Sequence, residues 1–369
     1  MRGPPIDPAS LLLEAGTVHL LSGGEAPLPR ATVAAYAAYA ADKSSGAPGR
    51  QRLEAKAEQV RDRMAALAGT VRQHIGFVSS ASAALTMAVA ALDWREGDRI
   101  VTLADDYPSV VLAGLGLERH GVSVRLVAAG DDPVSALLEA VEARTRLVLA
   151  SQVSFRHGRR LDIARLAHEL QKLGIALGVD ASHALGVLPV PVAECDFVVS
   201  CGHKFLLGSH GTGILFWNAA RLGQPRTPAG WFSVAHYDVA QAGASFTAKP
   251  GALAFELGNP DFPALYALEA GLDLLDGAGS TAIAEHALAL SGVLRERLAG
   301  LGWDVWTPRP EAARGTSIAI GTDHAAEIAM RLAAARIHVA AGEGRLRLSV
   351  HGFNTEADLE TAIARLGAP

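Results

Sequence analysis

Cysteine is nearly missing from this chain: Cys195 and Cys201 are the only two in 369 residues. Six positions apart and without a second pair, they supply neither a disulfide framework nor a zinc ribbon. Such usage fits a reducing cytoplasm. A large excess of positive charge is missing too. The formal net charge is −5, so there is no basic surface to neutralise phosphates, and nucleic acid is not an expected partner. No uninterrupted apolar run could span a bilayer, and the opening MRGPPIDPAS has neither the basic start nor the apolar core of a signal peptide. A soluble, cytoplasmic protein with no membrane partner is the expectation. No repeat of fixed period occurs. A glycine-rich dinucleotide turn is absent as well, since VSSASAA (78–84) follows the first strand of the alternating region. That argues against a nucleotide-dependent α/β enzyme.

Half of the residues are hydrophobic, enough for a large core and two domains. Residues 1–30, with five prolines and an SGG step, read as an arm crossing the surface. Helical periodicity begins at Ala31, pauses in a polar loop from Asp42 to Arg50, and resumes through about Ala68. From 75 to about 216 short apolar runs alternate with amphipathic segments, each helix opened by Ser, Asp or Pro. This alternation predicts an α/β fold whose large domain, 31–265, is a three-layer α/β/α arrangement around a mainly parallel sheet. The pattern loosens between Asn218 and Leu257, as in a long active-site or subunit-contact loop. Residues 266–369 mix short strands and helices, predicting a smaller α+β C-terminal domain.

Two buried-strand candidates, Ile175–Val179 and Phe197–Val199, end in polar residues, and in parallel sheets chemistry collects at such carboxyl ends. They deliver Asp180 with His183, and then Lys204, one of only five lysines. An earlier strand delivers Gln152, and a helix start at Ala81 and Ser82 presents free amides and a positive dipole end that suit a phosphate. Each feature also has an ordinary reading: a serine cap, an aspartate turn, a half-buried histidine, a solvated lysine. Taken together and in this order they match the needs of pyridoxal 5'-phosphate. An amine must form an imine, a carboxylate must keep the pyridine nitrogen protonated, and a helix start must hold the phosphate.

The stretch SCGHKFLLGSHGTGILF (200–216) closely resembles the lysine motif of class V aminotransferases, the fold-type I group that includes cysteine desulfurases, kynureninases and isopenicillin-epimerase-like enzymes. The resemblance extends over DASH at 180–183, EGDRIVTLADDYPS at 96–109, FELGNPDFPALYALEAGLDLL at 255–275 and RLRLSVHGFNTEADLE at 345–360. It implies that Lys204 is the Schiff-base lysine and Asp180 the pyridinium partner. It places His183 beside the ring's phenolic oxygen, Ala81, Ser82, Cys201 and His203 around the phosphate, and Tyr107 stacked on the ring. Gln152 falls near the ring oxygen and the substrate, Arg347 on the substrate's α-carboxylate, and Asn259 on the phosphate of a neighbouring subunit. A homodimer with its active site near the interface, and a small amino acid as substrate, follow from the same likeness; an ordinary strand-edge arginine is the alternative for Arg347.

Departures narrow the chemistry. Cysteine desulfurases carry a nucleophilic cysteine shortly before the carboxylate-binding arginine, where this chain has AAGEG (340–344); a persulfide route through that loop is excluded. Cys201 stands where the family often has a phosphate-binding serine. The resemblance implies reaction at the α-carbon, either as an aminotransferase or as a lyase of kynureninase or C–S type, with a non-catalytic cofactor binder as a further alternative. Trp231 and Phe232 in AGWFS resemble the aromatic loop of kynureninases and are candidates to line a side-chain pocket.

Overall fold

The computed structural model describes residues 3–238 and 245–369. Two helices lead in, α1 (Ala31–Lys43) and α2 (Gly46–Leu67). The second starts earlier than the polar composition of 42–50 predicts, because Pro48 falls in its first turn, where no backbone N–H is needed. Strand and helix then alternate: β1 (Ile75–Val78), α3 (Ala81–Ala90), β2 (Arg99–Leu103), α4 (Pro108–Leu115), β3 (Ser123–Val127), α5 (Pro133–Glu139), β4 (Thr145–Ser151), α6 (Ile163–Leu173), β5 (Ala176–Asp180), β6 (Phe197–Cys201) and β7 (Gly213–Trp217). Local chemistry sets the helix starts. Asp132 accepts from Val134 N and Ser135 N to open α5, Asp162 accepts from Arg165 N to open α6, and Ser80 accepts from Ala83 N to open α3.

The seven strands form one sheet in the order β1-β7-β6-β5-β4-β2-β3. Neighbours from β6 through β3 pair in parallel, and only β7 runs against the rest. Strands β5, β6 and β7 are almost wholly buried, as their continuous apolar runs require when helices cover both faces. Gly213 begins β7 because a Cβ there would stand 2.2 Å from the Ser80 carbonyl carbon. Its absence lets β7 press against the start of α3.

Beyond Trp217, two antiparallel strands, β8 (Val234–Asp238) and β9 (Ser245–Ala248), lie within the region expected to be a loop. Helices α7 (Phe262–Ala278) and α8 (Ser280–Gly300) follow. A four-stranded antiparallel sheet closes the chain, built from β10 (Asp304–Val305), β11 (Ser317–Gly321), β12 (Ala340–Gly342) and β13 (Arg345–Ser349), with helices α9 (Ala325–Ala334) and α10 (Glu356–Leu366). Thr355 and Asp358 form a capping box at the start of α10.

The first thirty residues differ from the surface arm that their prolines predict. Ile6, Leu11 and Leu20 are fully buried, and Val18–His19 pairs in parallel with Ile337–His338. Isolated apolar side chains between prolines carry no periodicity to reveal this, yet the segment runs beside β13, where Ser349 N donates to Leu20 O at 2.7 Å and Ile6 N to Gly352 O at 3.1 Å. Among the described residues no helix is long and apolar enough to cross a membrane.

Candidate active site

Strand β6 ends at Cys201, and the chain turns at once. Gly208 N donates to Gly202 O, Gly202 N to Thr212 O and Leu207 N to Lys204 O, while Leu207 takes a left-handed φ of 57°. This closed turn holds Lys204 out of the sheet end. Its Nζ sits 5.3 Å from the centre of the Tyr107 ring, and among the described residues no carboxylate reaches it as an ion pair. Tyr107 in turn stands edge-on to Phe155, with centroids 5.1 Å apart.

Lys204, Tyr107, His183, His203 and Arg347 all line one cavity of about 350 Å³. Its floor comes from the sheet end, one wall from β12 and β13, and its rim from Gly23 to Glu25. A side chain at Gly23 would place its Cβ 2.7 Å from Ser349 Oγ and 3.0 Å from His183 Cε1, so glycine is what admits the N-terminal segment here.

His183 is buried and neither ring nitrogen has a partner among the described residues. Burial first, then the charges of Lys204, Arg347, Arg345 and His203, hold its pKa well below the ordinary histidine value, so it is neutral near pH 7. His203 stacks on His210 at 4.2 Å, and His210 pairs with Glu25 at 3.0 Å; burial and the neighbouring His210 push His203 down to about 4. Glu25, His203 and His210 bring possible ligand atoms within 4.8 Å of one another. The two imidazoles lie nearly parallel, 15° apart, so their lone pairs run side by side instead of converging on a metal.

Asp180 ends β5 and accepts from Ser182 N at 2.8 Å. Asp106, which the sequence pattern did not single out, is buried beside it and accepts from Ser151 N, Ser151 Oγ and Tyr107 N at 2.8, 2.5 and 2.6 Å. Burial raises its pKa to about 6, opposed by these bonds and reinforced by Asp180. Asp106 therefore ties the Tyr107 turn to the end of β4.

Other expected members lie elsewhere. Gln152 donates from its backbone to Asp180 O at 2.9 Å, but its side chain turns away to Pro189 O at 2.7 Å and lines a separate cavity of about 850 Å³ with Arg159 and Trp306. Phe155, three residues on, occupies the wall instead. Ser82 is exposed at the start of α3, with its hydroxyl 2.7 Å from Ser109 Oγ. Asn259 lines a third cavity of about 410 Å³ with Ser79 and Gly211. Cys201 and Cys195 are buried, and burial raises both thiol pKa values; neither is an exposed thiolate. Trp231 is 61% exposed and does not line the Lys204 cavity.

Two arginines share the β13 wall. Arg347 Nη1 donates to Phe155 O at 2.7 Å, and burial with the adjacent Arg345 lowers its pKa to about 10. Arg345 was overlooked, although the alternation RLRLS puts it and Arg347 on one face of the strand.

The family model described as "Aminotransferase class-V" matches residues 18–362. The chain belongs to the class V aminotransferase family. Pyridoxal phosphate is the cofactor of that family. Among similar proteins are the kynureninase of Deinococcus radiodurans, 28% identical with 74% of this chain and 68% of the relative covered, and a probable cysteine desulfurase of Methanothermobacter thermautotrophicus, 26% identical with 90% and 89% covered. The apo cysteine desulfurase of Thermococcus onnurineus superimposes with a TM-score of 0.88 at 21% identity, covering 98% of this chain and 96% of that one. A mutant of C-DES with glycine covalently linked to its pyridoxal phosphate cofactor gives 0.88 at 21% identity over 95% and 96%. These solved structures share this chain's fold.

The residues present suit the family's cofactor. An amine without a carboxylate partner among the described residues, and a buried neutral imidazole with both nitrogens unanswered, are what an anionic aromatic aldehyde would satisfy.

Proposed function

We propose that this class V enzyme acts through pyridoxal phosphate at the α-carbon of a small α-amino acid, as an aminotransferase. The observation that carries the reading is that Lys204 and Arg347 open into one cavity with His183 and Tyr107. Bound there, the cofactor would draw electrons from the α-carbon. Lys204 would hold it covalently and, once released by the substrate amine, move a proton at the α-carbon. Tyr107 would lie against the ring face, with Asp106 fixing its backbone. Asp180 would hold the proton on the pyridine nitrogen, while neutral His183 would bond the ring oxygen. Arg347 would orient the substrate through its α-carboxylate; its planar fork suits that role. The start of α3, with Ala81 and Ser82, His203 and Cys201 would hold the phosphate. Gln152 reaches the site only through its backbone unless its side chain turns.

A lyase is the second reading, favoured by the kynureninase relatives and by a C–S lyase among the similar folds. A non-catalytic binder has less support, since such a protein has no use for an arginine on the substrate side. A homodimer, with Asn259 serving the partner's phosphate site, fits the exposed Trp231 and Phe246; light scattering would report it.

Purified protein reconstituted with pyridoxal phosphate should turn yellow, and borohydride should fix the cofactor to Lys204. Lys204→Ala should abolish the covalent link and lower turnover by several orders of magnitude. A protein that stays colourless refutes the reading. Product analysis across an amino-acid panel for keto acid, alanine or sulfide separates aminotransferase from lyase.

A further inference from the structure

The cavity holds more positive charge than one α-carboxylate can answer. Lys204, Arg345 and Arg347 line it, and among the described residues the only carboxylate lining it is Glu25, which is engaged with His210. Arg345 and Arg347 are 7% and 6% exposed. Both guanidinium groups donate to a single acceptor, the Phe155 carbonyl, through Arg345 Nη2 at 3.4 Å and Arg347 Nη1 at 2.7 Å. The two nitrogens are thus no more than about 6 Å apart, a costly approach of like charges in a buried place.

Compensation is partial. Arg345 Nη1 donates to Gly342 O at 3.0 Å and to Glu343 at 2.9 Å, but Glu343 is half exposed and also pairs with Arg156 at 2.9 Å. The Nε of both Arg345 and Arg347 is buried with no partner. Arg345 is held in place by the Phe155 ring, 5.0 Å from its guanidinium. Opposite the two arginines in the β12 register stand Gly342 and Ala340, which leave the space in front of them open.

We propose that Arg345 forms a second anion subsite, so that the substrate is an α-amino acid with an acidic side chain, its α-carboxylate on Arg347 and its distal carboxylate on Arg345. This rests on the function proposed above. Nitrogens no more than about 6 Å apart are within reach of the two carboxylates of a four- or five-carbon dicarboxylate, and the phosphate is assigned in the function proposed above to the start of α3, whose residues do not line this cavity. Glu343 acts as the resting counterion and yields Arg345 when the substrate's own carboxylate arrives.

The test uses the full chain loaded with pyridoxal phosphate. Wild type should process aspartate or glutamate in preference to asparagine or glutamine, and Arg345→Gln should cut kcat/KM for the acidic member by about 10- to 100-fold, as loss of a charge-assisted hydrogen bond implies. The amides should change less than about 3-fold on that scale. Succinate, titrated by calorimetry into the protein, should bind more tightly than butyrate, weaken in Arg345→Gln and tighten in Glu343→Gln, which removes the competing carboxylate. That last change has the opposite sign to any loss of folding. Equal losses for acidic and amide substrates, or succinate binding no better than butyrate, overturn the proposal. If the protein takes up no pyridoxal phosphate the cofactor reading fails, and the succinate titration still decides the subsite.

Discussion

Replacing His183 by leucine should stabilise the protein without cofactor while weakening its response to pyridoxal phosphate. Both nitrogens lack partners among the described residues, and burial, reinforced by four cationic or basic neighbours, keeps the ring neutral. A buried polar group without a hydrogen bond costs about 1–3 kcal/mol, and an apolar side chain of similar size removes that cost. Unfolding entropy of about 2.1 cal/mol/K per residue gives roughly 0.8 kcal/mol/K for a chain of this length. The cofactor-free variant should therefore melt about 1–4 °C above wild type. Adding the cofactor supplies a partner for His183 in wild type, so ligand-linked stabilisation should be large there and smaller in the variant. Differential scanning calorimetry on cofactor-free and loaded forms reads both quantities. A cofactor-free variant that melts below wild type would show that the imidazole nitrogens are already satisfied, and the assignment of His183 to the ring oxygen would lose its structural basis.

Other outcomes follow from buried charge. Glu256 accepts from Arg61 Nη1 at 2.8 Å and from Phe77 N at 2.8 Å, and both ion-pair members are nearly inaccessible. Glu256→Ala should cost about 3–5 kcal/mol in denaturant unfolding, and the Arg61→Met/Glu256→Leu double variant should recover most of it; equal stability of single variant and wild type contradicts the pair's burial. His351 accepts from Gly352 N and contacts Phe205 O at 2.9 Å, so one nitrogen must stay unprotonated, and burial holds its pKa down to about 4. The native state thus resists a proton that the unfolded state accepts. Its contribution is complete above pH 6.5 and is lost as pH falls toward 4, a change on the order of 3 kcal/mol that should be smaller in His351→Gln. Stability that is flat across this window in wild type would refute it. Arg347→Ala should impair turnover of every amino acid while leaving the protein yellow; loss of colour would place Arg347 on the cofactor instead.

The alternation of apolar runs and capped helices was enough to recover the sheet and its helices, because burial on both faces writes a continuous signal into the central strands, while the edge strand β3 is left largely exposed. Boundaries failed where composition misleads, as at Pro48 in the first turn of α2. The N-terminal segment failed for a different reason. Ile6 and Leu20 meet partners more than three hundred residues away, Gly352, whose carbonyl accepts from Ile6 N at 3.1 Å, and Ser349, whose N donates to Leu20 O at 2.7 Å, and no local pattern records such contacts.

At the site, the sequence by itself determined which chemistry is brought to the sheet end. Lys204 follows the end of β6 by three residues and lines the cavity, while Asp180 ends the neighbouring β5 and accepts from Ser182 N without lining it. Only the tertiary structure decided the rest of the wall. Whether Gln152 or Phe155 faces the cavity depends on the path of the loop after β4, and a turn of one residue exchanges the faces. Asp106, a neighbour of Tyr107 in the chain, became its anchor only when β4 supplied Ser151. Arg345 and Arg347 were legible as one face of a strand, but their approach to a single carbonyl oxygen arises from packing β13 against the Phe155 loop. Charge density of that kind is a property of juxtaposed elements, which is why the substrate's chemistry was less legible than the cofactor's.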